Sequence, residues 1–489
     1  METLKRNIFI IVFVFVSTMT YAEPAHAGWF LVFKAIAAVA IKKAVVSMVI
    51  GAIVGAVVSS IFGGGKKRQA SQASRNRSLM VNKNSSNEPV PVVYGRRRIG
   101  GTRVFVGTSN GSGGSGTNTL NIALALCEGQ MGDLKKVYFN DEIVFDGTVA
   151  HNATITDSND VSSNKYEGTI EIQYMDGRDD QTVSTTLQNS IGSSTWTNNH
   201  RLRGVAYLGI KLTANADKYS GGVPTITAEM NGKKITSTAD FSSTVDGADQ
   251  NPVDVLNDYL TNTTYGKGLV AGDIDQTSFT AAKAHIVANS NFYKINGALQ
   301  TDIPLYENIQ EILNASNLLL VYTNGKYVVK NKKQSESATY TITKDNMIDA
   351  MQVDMPNKKN KKNKITVTYP DASTDYNYNE NIKIVDDSSF LTADNNQVLE
   401  SRIELDLVTS SSLATSLATY KMNLSRNTQT VSFTTAHTNL PIECGDVIAI
   451  TNSDFGFSSK KFRVIQMEIT TEATIKFVCQ EYNSSIELT

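Results

Sequence analysis

The chain has 489 residues, room for roughly two to four domains and more than one hydrophobic core. Lys+Arg 46 balance Asp+Glu 47 at a formal net charge of -1, which excludes wholesale attraction to nucleic acid or to an anionic membrane and leaves only local patches. Charged residues make up 19%, below the usual quarter, and Ser, Thr and Asn are plentiful, a composition that fits β-rich extracellular or virion proteins.

Residues 1–27, METLKRNIFIIVFVFVSTMTYAEPAHA, have the three parts of a secretory signal. Lys5 and Arg6 form a basic region, Asn7 to Met19 an apolar one, and Ala25-His26-Ala27 a small-x-small cleavage site. Residues 28–62 are a second apolar segment. Its part from 44 to 62 carries no charge and is long enough to cross a bilayer as a helix. Gly51 and Gly55 form a GxxxG face suited to close helix packing. Lys42 and Lys43 on one side and Lys66, Lys67 and Arg68 on the other give no preferred orientation. Two readings stay open, a membrane helix and an apolar helix buried in an oligomer. Residues 63–88 are Gly/Ser/Asn-rich and basic, and read as a flexible linker.

A β pattern begins at Pro89 and fills residues 89–245. It opens with VPVVYGRRRIGG, in which Arg96, Arg97 and Arg98 raise the question of a phosphate site. Side chains alternate faces along a strand, so three consecutive arginines cannot all point one way. The stretch therefore reads as an edge strand, Tyr94 and Gly95 before the arginines and Gly100-Gly101 bulging it after. Arg98 is then expected to pair with a neighbouring subunit or a loop carboxylate. RVFVGT, TLNIALALCEG, DLKKVYFNDEIVFDG and GTIEIQYMDG follow as short runs separated by turn residues. GSGGSG, residues 111–116, lacks the lysine of a phosphate loop and reads as a mobile hairpin tip. Asp176, Asp179 and Asp180 do not have EF-hand spacing and read as an exposed turn. RLRGVAYLGIKLT and VPTITAEM are further strands, the second closed by an Asn231-Gly232 turn.

Residues 246–335 change character to a small α+β domain. In NPVDVLNDYLTN the apolar residues Val253, Leu256 and Leu260 have helical spacing, with Pro252 suited to the first turn. SFTAAKAHIVANSN and YENIQEILNASN are the next helices. LLLVYTNGKYVVK is a hairpin turning at Asn324-Gly325. Residues 336–489 return to β structure, with one amphipathic helix at 411–427 and four closing strands. The lysine run at 357–364 has no interleaved aromatics and reads as a solvated loop. Cys127, Cys444 and Cys479 contain no CxxC pair and read as buried thiols, Cys444 and Cys479 being candidate neighbours. No acid/base pair, nucleophile motif, metal set or cofactor fingerprint stands out, so neither enzyme activity nor a cofactor is expected.

Several stretches together resemble one family, the central tail hubs of long-tailed bacteriophages and gene-transfer agents, which include the lambda-type tip attachment proteins. VPVVYGRRRIGG is similar to the family's opening strand, with Tyr94, Gly95, Arg98, Gly100 and Gly101 at its marked positions. CEGQMGDLKKVYFND, RLRGVAYLGIKL and GGVPTITAEMNG resemble its hairpin and paired strands. NPVDVLNDYLTNTTYGKGL resembles its Asn-Pro…Tyr-Gly-x-Gly segment through Asn251, Pro252, Tyr265, Gly266 and Gly268. LPIECGDVIAITN, with Cys444, Gly445 and Asp446, resembles its closing β domain. The resemblance implies a mainly β, multi-domain fold, sandwich- or barrel-like, to which the residues themselves add a small α+β insertion and a hydrophobic N-terminal helical segment. It also implies a homo-oligomeric, trimeric ring at the virion's tail tip. Such a ring would contact tail-tube or distal tail, tape measure and tip or fibre proteins, and take part in host attachment and DNA ejection, with DNA only in passage. The chain stops after the closing β domain, so host recognition would belong to a separate protein. The signal-like N-terminus departs from the family and implies export across, or insertion in, the bacterial inner membrane through residues 28–62. The competing class is a secreted or membrane-anchored, adhesin-like bacterial surface protein.

Overall fold

The computed structural model describes residues 80–84, 88–109, 118–156, 165–334, 336–355, 360–376, 382–427 and 429–487. The signal-like segment, the apolar segment with Gly51 and Gly55, most of the linker and the glycine-rich tip lie outside the described residues. Among the described residues no helix is long and apolar enough to cross a membrane.

The first part of the chain supplies β1 (Val92–Tyr94), β2 (Arg97–Ile99), β3 (Thr102–Ser109), β4 (Thr119–Glu128), β5 (Leu134–Phe139), β6 (Glu142–Val149), β7 (Thr154–Thr156) and β8 (Ile170–Met175). Helix α1 (Thr185–Ile191), β9 (Val205–Thr213), β10 (Ile226–Met230), β11 (Gly232–Thr236) and β12 (Thr244–Gly247) follow. A five-stranded sheet in the order β3-β4-β9-β8-β7 and a four-stranded sheet in the order β2-β10-β5-β6 share one core. Ile122, Leu124, Ile172, Leu208 and Ile210 come from the first; Ile99, Val137, Phe139, Ile226 and Ala228 from the second. Each large side chain buried there contributes about 1.5–3 kcal/mol. Strand β4 reads as a continuous apolar run because its other face is covered too: Ala123 packs with Leu187 of α1, Trp196 and Tyr207. Asn231-Gly232 is not the expected hairpin turn. Strand β10 pairs with β2 and β5, whereas β11 leaves to pair with β12, so the dipeptide carries the chain from one sheet to another.

The middle part supplies α2 (Pro252–Thr261), α3 (Gln276–Ala288), β13 (Gly297–Leu299), α4 (Leu305–Ser316), β14 (Leu318–Thr323) and β15 (Lys326–Asn331). Helix α2 starts as its sequence dictates: the Asn251 side chain accepts from the Val253 N–H and Pro252 occupies the first turn. Val253, Leu256 and Leu260 are all fully buried. Asn324 (φ 52) and Gly325 (φ 78) form the left-handed turn between β14 and β15. Strand β13 pairs antiparallel with β1, so β1, the first strand among the described residues, belongs here rather than to the sheets that follow it.

The last part supplies β16 (Tyr340–Thr343), β17 (Gln352–Asp354), β18 (Lys364–Thr368), β19 (Ile382–Asp386), α5 (Ser388–Ala393), β20 (Glu400–Glu404) and α6 (Ser411–Asn427). Four closing strands follow, β21 (Thr430–Ala436), β22 (Val447–Asn452), β23 (Phe457–Ile469) and β24 (Thr474–Glu481). Helix α6 buries Leu413, Ala414, Leu417, Ala418 and Met422, one helical face, in the same core as Ile365 and Val367 of β18 and Ile403 of β20. That core is continuous with α2, α3 and α4. A separate six-stranded sheet, β16-β22-β23-β24-β21-β17, encloses Ile342, Phe433, Ile448, Phe462 and Phe477. Residues 360–427 are thus threaded between two segments of the closing sheet and contribute to the central core instead. The fold is mainly β with several sheets and no closed barrel among the described residues.

Candidate functional site

Two motifs far apart in sequence meet at one carboxylate. The Tyr94 hydroxyl donates to Asp258 Oδ2 at 2.6 Å, and the Tyr265 hydroxyl donates to the same oxygen at 2.5 Å. Tyr94 is fully buried and Tyr265 nearly so. Burial first, and then the Asp258 charge, push both phenols well above their ordinary pKa, so both stay donors. The Gly95 N–H donates to Gln250 Oε1 at 2.8 Å, and the Arg96 N–H to Asn296 Oδ1 at 2.8 Å. Gly266 wraps the end of α2 so closely that a Cβ would lie 2.1 Å from the Tyr259 carbonyl oxygen, while one on Gly268 (φ 71) would meet only ordinary contacts, Thr263 Cα at 3.8 Å being among the nearest. Tyr94 and Tyr265, which share Asp258, and Gly95, held on Gln250, therefore clasp β1 to α2, while Asn251 and Pro252 start that helix and Gly266 packs on its end. Asp258, its centre, carries no sequence signal.

The three arginines serve the chain's own fold. Arg97 and Arg98 are 1% and 3% exposed. Arg98 Nε donates to Thr227 Oγ1 at 2.7 Å, its Nη2 pairs with Asp141 at 3.0 Å, and its guanidinium lies 3.8 Å from the Tyr138 ring centroid. Arg96 pairs with Glu229 at 2.5 Å, and Arg97 lies 5.2 Å from the Tyr376 ring centroid. Of the two partners the sequence leaves open, Arg98 thus has a loop carboxylate of its own chain, the exposed Asp141 on the β5–β6 turn. Gly100 and Gly101 let neighbouring backbone close in: a Cβ on Gly101 would lie 2.3 Å from the Ala125 oxygen, and one on Gly100 2.9 Å from Val81. Asn82 fastens this approach, donating to the Gly100 and Ile226 carbonyls and accepting from the Ile226 N–H.

Cys444, Gly445 and Asp446 lie where the closing sheet docks on the β14–β15 hairpin. Lys330 Nζ reaches Asp446 at 2.8 Å, the Cys444 carbonyl at 3.1 Å and Glu443 at 3.5 Å. Thr323 and Asn324 both donate to Glu443. The three cysteines are free thiols, Cys127 and Cys479 buried and Cys444 half-buried. Lys330→Met should leave Glu443 and Asp446 without their shared cation and cost about 1–3 kcal/mol. Amide exchange resolved by segment should show the loss in β14, β15 and residues 443–446, with β4 and β9 unchanged.

A buried ionic cluster that composition cannot reveal lies beneath this junction. Arg463 pairs with Glu336 at 2.9 Å and Glu487 at 3.3 Å. Burial pushes Lys332 down to about 8; burial and the nearby Lys332 do the same to Lys421. Burial pushes Glu487 up, against the pull of Arg463 and Lys332. Below pH 8 the folded chain holds both lysines charged at a desolvation cost. Above it they deprotonate in the folded chain while the unfolded chain keeps its protons to about 10.4, so this contribution to stability rises with pH. Lys421→Met is accordingly expected to be more stable than wild type at pH 7 in urea unfolding. That advantage should shrink as pH rises past 8, and a pH-independent difference would show that the amine is solvated.

Asp176 is not in an exposed turn. It is 3% exposed, pairs with Arg178 at 2.8 Å and with His151 at 2.7 Å, and leaves only Asp179 and Asp180 in solvent. Among the described residues no group of three His, Cys, Asp or Glu side chains is placed to hold a metal ion.

Residues 305–467 match the family model described as "Putative phage tail protein". The baseplate hub protein pb3 of Escherichia phage T5 is 24% identical over 463 residues, a match covering 81% of this chain and 48% of that protein. The chain thus spans about half the length of the curated relative it matches. Among solved structures, a chain from the virion of a native gene transfer agent particle superposes with a TM-score of 0.59 at 14% identity, covering 83% of this chain and 87% of that one. A 43 kDa prophage tail protein from Shewanella oneidensis, at TM-score 0.30 and 9% identity over 82% of this chain and 100% of its own, is too distant in geometry to bear on the reading. By sequence the chain is thus a relative of a phage baseplate hub protein, its residues 305–467 match a phage tail protein family model, and its fold is shared with a chain of a gene transfer agent virion.

Proposed function

We propose that the chain is a structural virion protein, the central hub at the distal end of a tail, and that copies of it close into a trimeric ring. In that place it joins the tail tube to tip or fibre proteins, meets the tape measure protein, and takes part in host attachment and DNA ejection. The sequence match to a baseplate hub protein along most of the chain supports this reading above all. The geometry fits a load-bearing part: the family-like motifs are spent on fastening β1 to α2 within the central core, through Tyr94 and Tyr265 on Asp258, and that core to the closing sheet, through Lys330 on Asp446. None of them converges on an open cleft. The adhesin-like alternative draws no support from the relatives or the fold.

Electron microscopy of virions and of the purified chain tests the proposal. The expected result is a closed ring of this chain at the tail's distal end; a monodisperse monomer at high concentration would overturn the ring. Membrane contact through residues 28–62 is a separate part of the proposal. Virions mixed with liposomes should protect that segment from protease, and full accessibility there would remove it.

A further inference from the structure

The loop after β18 holds a backbone conformation that its sequence disfavours. Asp375 (φ 51) and Tyr376 (φ 65) are consecutive left-handed residues, and neither is glycine. Asp tolerates that region through its short polar side chain; a bulky aromatic residue has no such compensation. Contacts from elsewhere must therefore hold Tyr376 in place.

Those contacts come from another core. Tyr376 is 3% exposed. Its ring lies beside the Arg97 guanidinium, 5.2 Å from ring centroid to charge centre, and its hydroxyl donates to Glu229 at 3.4 Å. Glu229 also takes Arg96 at 2.5 Å and the Tyr138 hydroxyl at 3.2 Å, and that hydroxyl lies 3.0 Å from Asp375 Oδ1. Strands β2, β5 and β10, which bear or flank these partners, belong to the core of the four- and five-stranded sheets. Strand β18, from which the loop departs, belongs to the central core with α6. On its own side the loop is closed by Asp371, whose carbonyl accepts the Tyr376 N–H at 2.9 Å and whose carboxylate accepts from Ser373 and Tyr369.

We infer that residues 371–376 are a releasable latch between these two cores. In the latched state Tyr376 sits between Arg97 and Glu229 at the cost of two left-handed residues. In the released state Asp375 and Tyr376 return to ordinary backbone wells and the tie between the cores is lost. Strain opposes the latch and the aromatic and polar contacts favour it, so a modest change on either side moves the population. The inference concerns the chain by itself and does not rest on the hub reading.

Hydrogen exchange on the purified full chain tests it at the Tyr376 amide, which is bonded only when the loop is closed. Tyr376→Leu, which loses both ring and hydroxyl contacts, should exchange about tenfold faster there, and Tyr376→Phe, which loses the hydroxyl alone, about threefold faster. Asp375→Asn keeps an acceptor and suits the left-handed region better, so it should slow exchange several-fold. Amides of β10 and β18 should keep wild-type rates in all three. Wild-type exchange at Tyr376 in both the Leu and Phe variants would overturn the latch. Acceleration spread equally over β10 and β18 would also overturn it, since the loop would then be opening only with the whole fold. Faster exchange in Asp375→Asn would remove strain from the balance and with it the two-state device.

Discussion

Gly95→Ala is expected to destabilise the chain by at least about 4 kcal/mol, enough to prevent accumulation of soluble native protein. Gly95 has φ 63, and a Cβ there would lie 2.0 Å from the Ile295 carbonyl oxygen, 2.4 Å from Asn296 Oδ1 and 2.9 Å from the Asn296 Cα. The left-handed conformation alone costs an alanine about 1–2 kcal/mol. The overlap costs more, because the nearest atom is backbone and cannot rotate aside. Gly232 faces the same point from β11, its own Cβ position lying 2.3 Å from the Gly95 nitrogen, so the backbone cannot retreat in that direction either. Gly95 must also keep its N–H on Gln250, which in turn donates to the Lys233 carbonyl. Gly325→Ala is the control. It has φ 78 but nothing near its Cβ position, so it should cost only the conformational part, about 1–2 kcal/mol. Urea unfolding of the two variants side by side separates strain from collision. Similar losses for both would show that the clasp yields around residue 95.

Local signals were legible where the chain decides structure locally. The helical spacing of Val253, Leu256 and Leu260 with Pro252 in the first turn, the Asn324-Gly325 turn and the apolar period of 411–427 all specify backbone over a few residues, and each element stands where its sequence predicts. Signals failed where partners decide. Asn231-Gly232 has hairpin composition, yet β10 is already paired on both edges, so β11 must leave its sheet. Helices α1 and α5 escape the sequence reading because each is under two turns long, too short for the one apolar spacing present, Val183, Leu187 and Ile191 around α1, to stand out. Among buried residues, α1 has only Thr186 and Leu187, and α5 has none. For Arg98 the sequence leaves open a neighbouring subunit or a loop carboxylate, and only the fold picks Asp141 and brings Tyr138 over the guanidinium. The family-like glycines and tyrosines of the clasp were visible as a motif, but their role was not, because a motif does not say which carboxylate two distant tyrosines will share.

That carboxylate carries the other large expectation. Asp258→Ala should cost about 3–5 kcal/mol, because it strands two tyrosine hydroxyls, one of them with no exposed surface at all. Each hydroxyl-to-carboxylate bond is worth about 1.5–3 kcal/mol. Asp258→Asn keeps an oxygen acceptor, loses the charge, and should cost less, about 1–2 kcal/mol. The decisive measurement is the double-mutant cycle. In the wild-type background Tyr94→Phe removes a hydrogen bond and should cost about 1.5–3 kcal/mol. In the Asp258→Ala background the same substitution removes an orphaned hydroxyl from the interior and should be neutral or stabilising. The two effects therefore differ in sign or nearly so, a coupling that mere packing of Tyr94 against α2 could not produce. Tyr265→Phe should repeat the pattern more weakly, since its hydroxyl lies nearer solvent. Additive costs in both cycles would mean that Asp258 and the tyrosines stabilise the fold independently, and the clasp would then be two neighbouring contacts and not one shared tie.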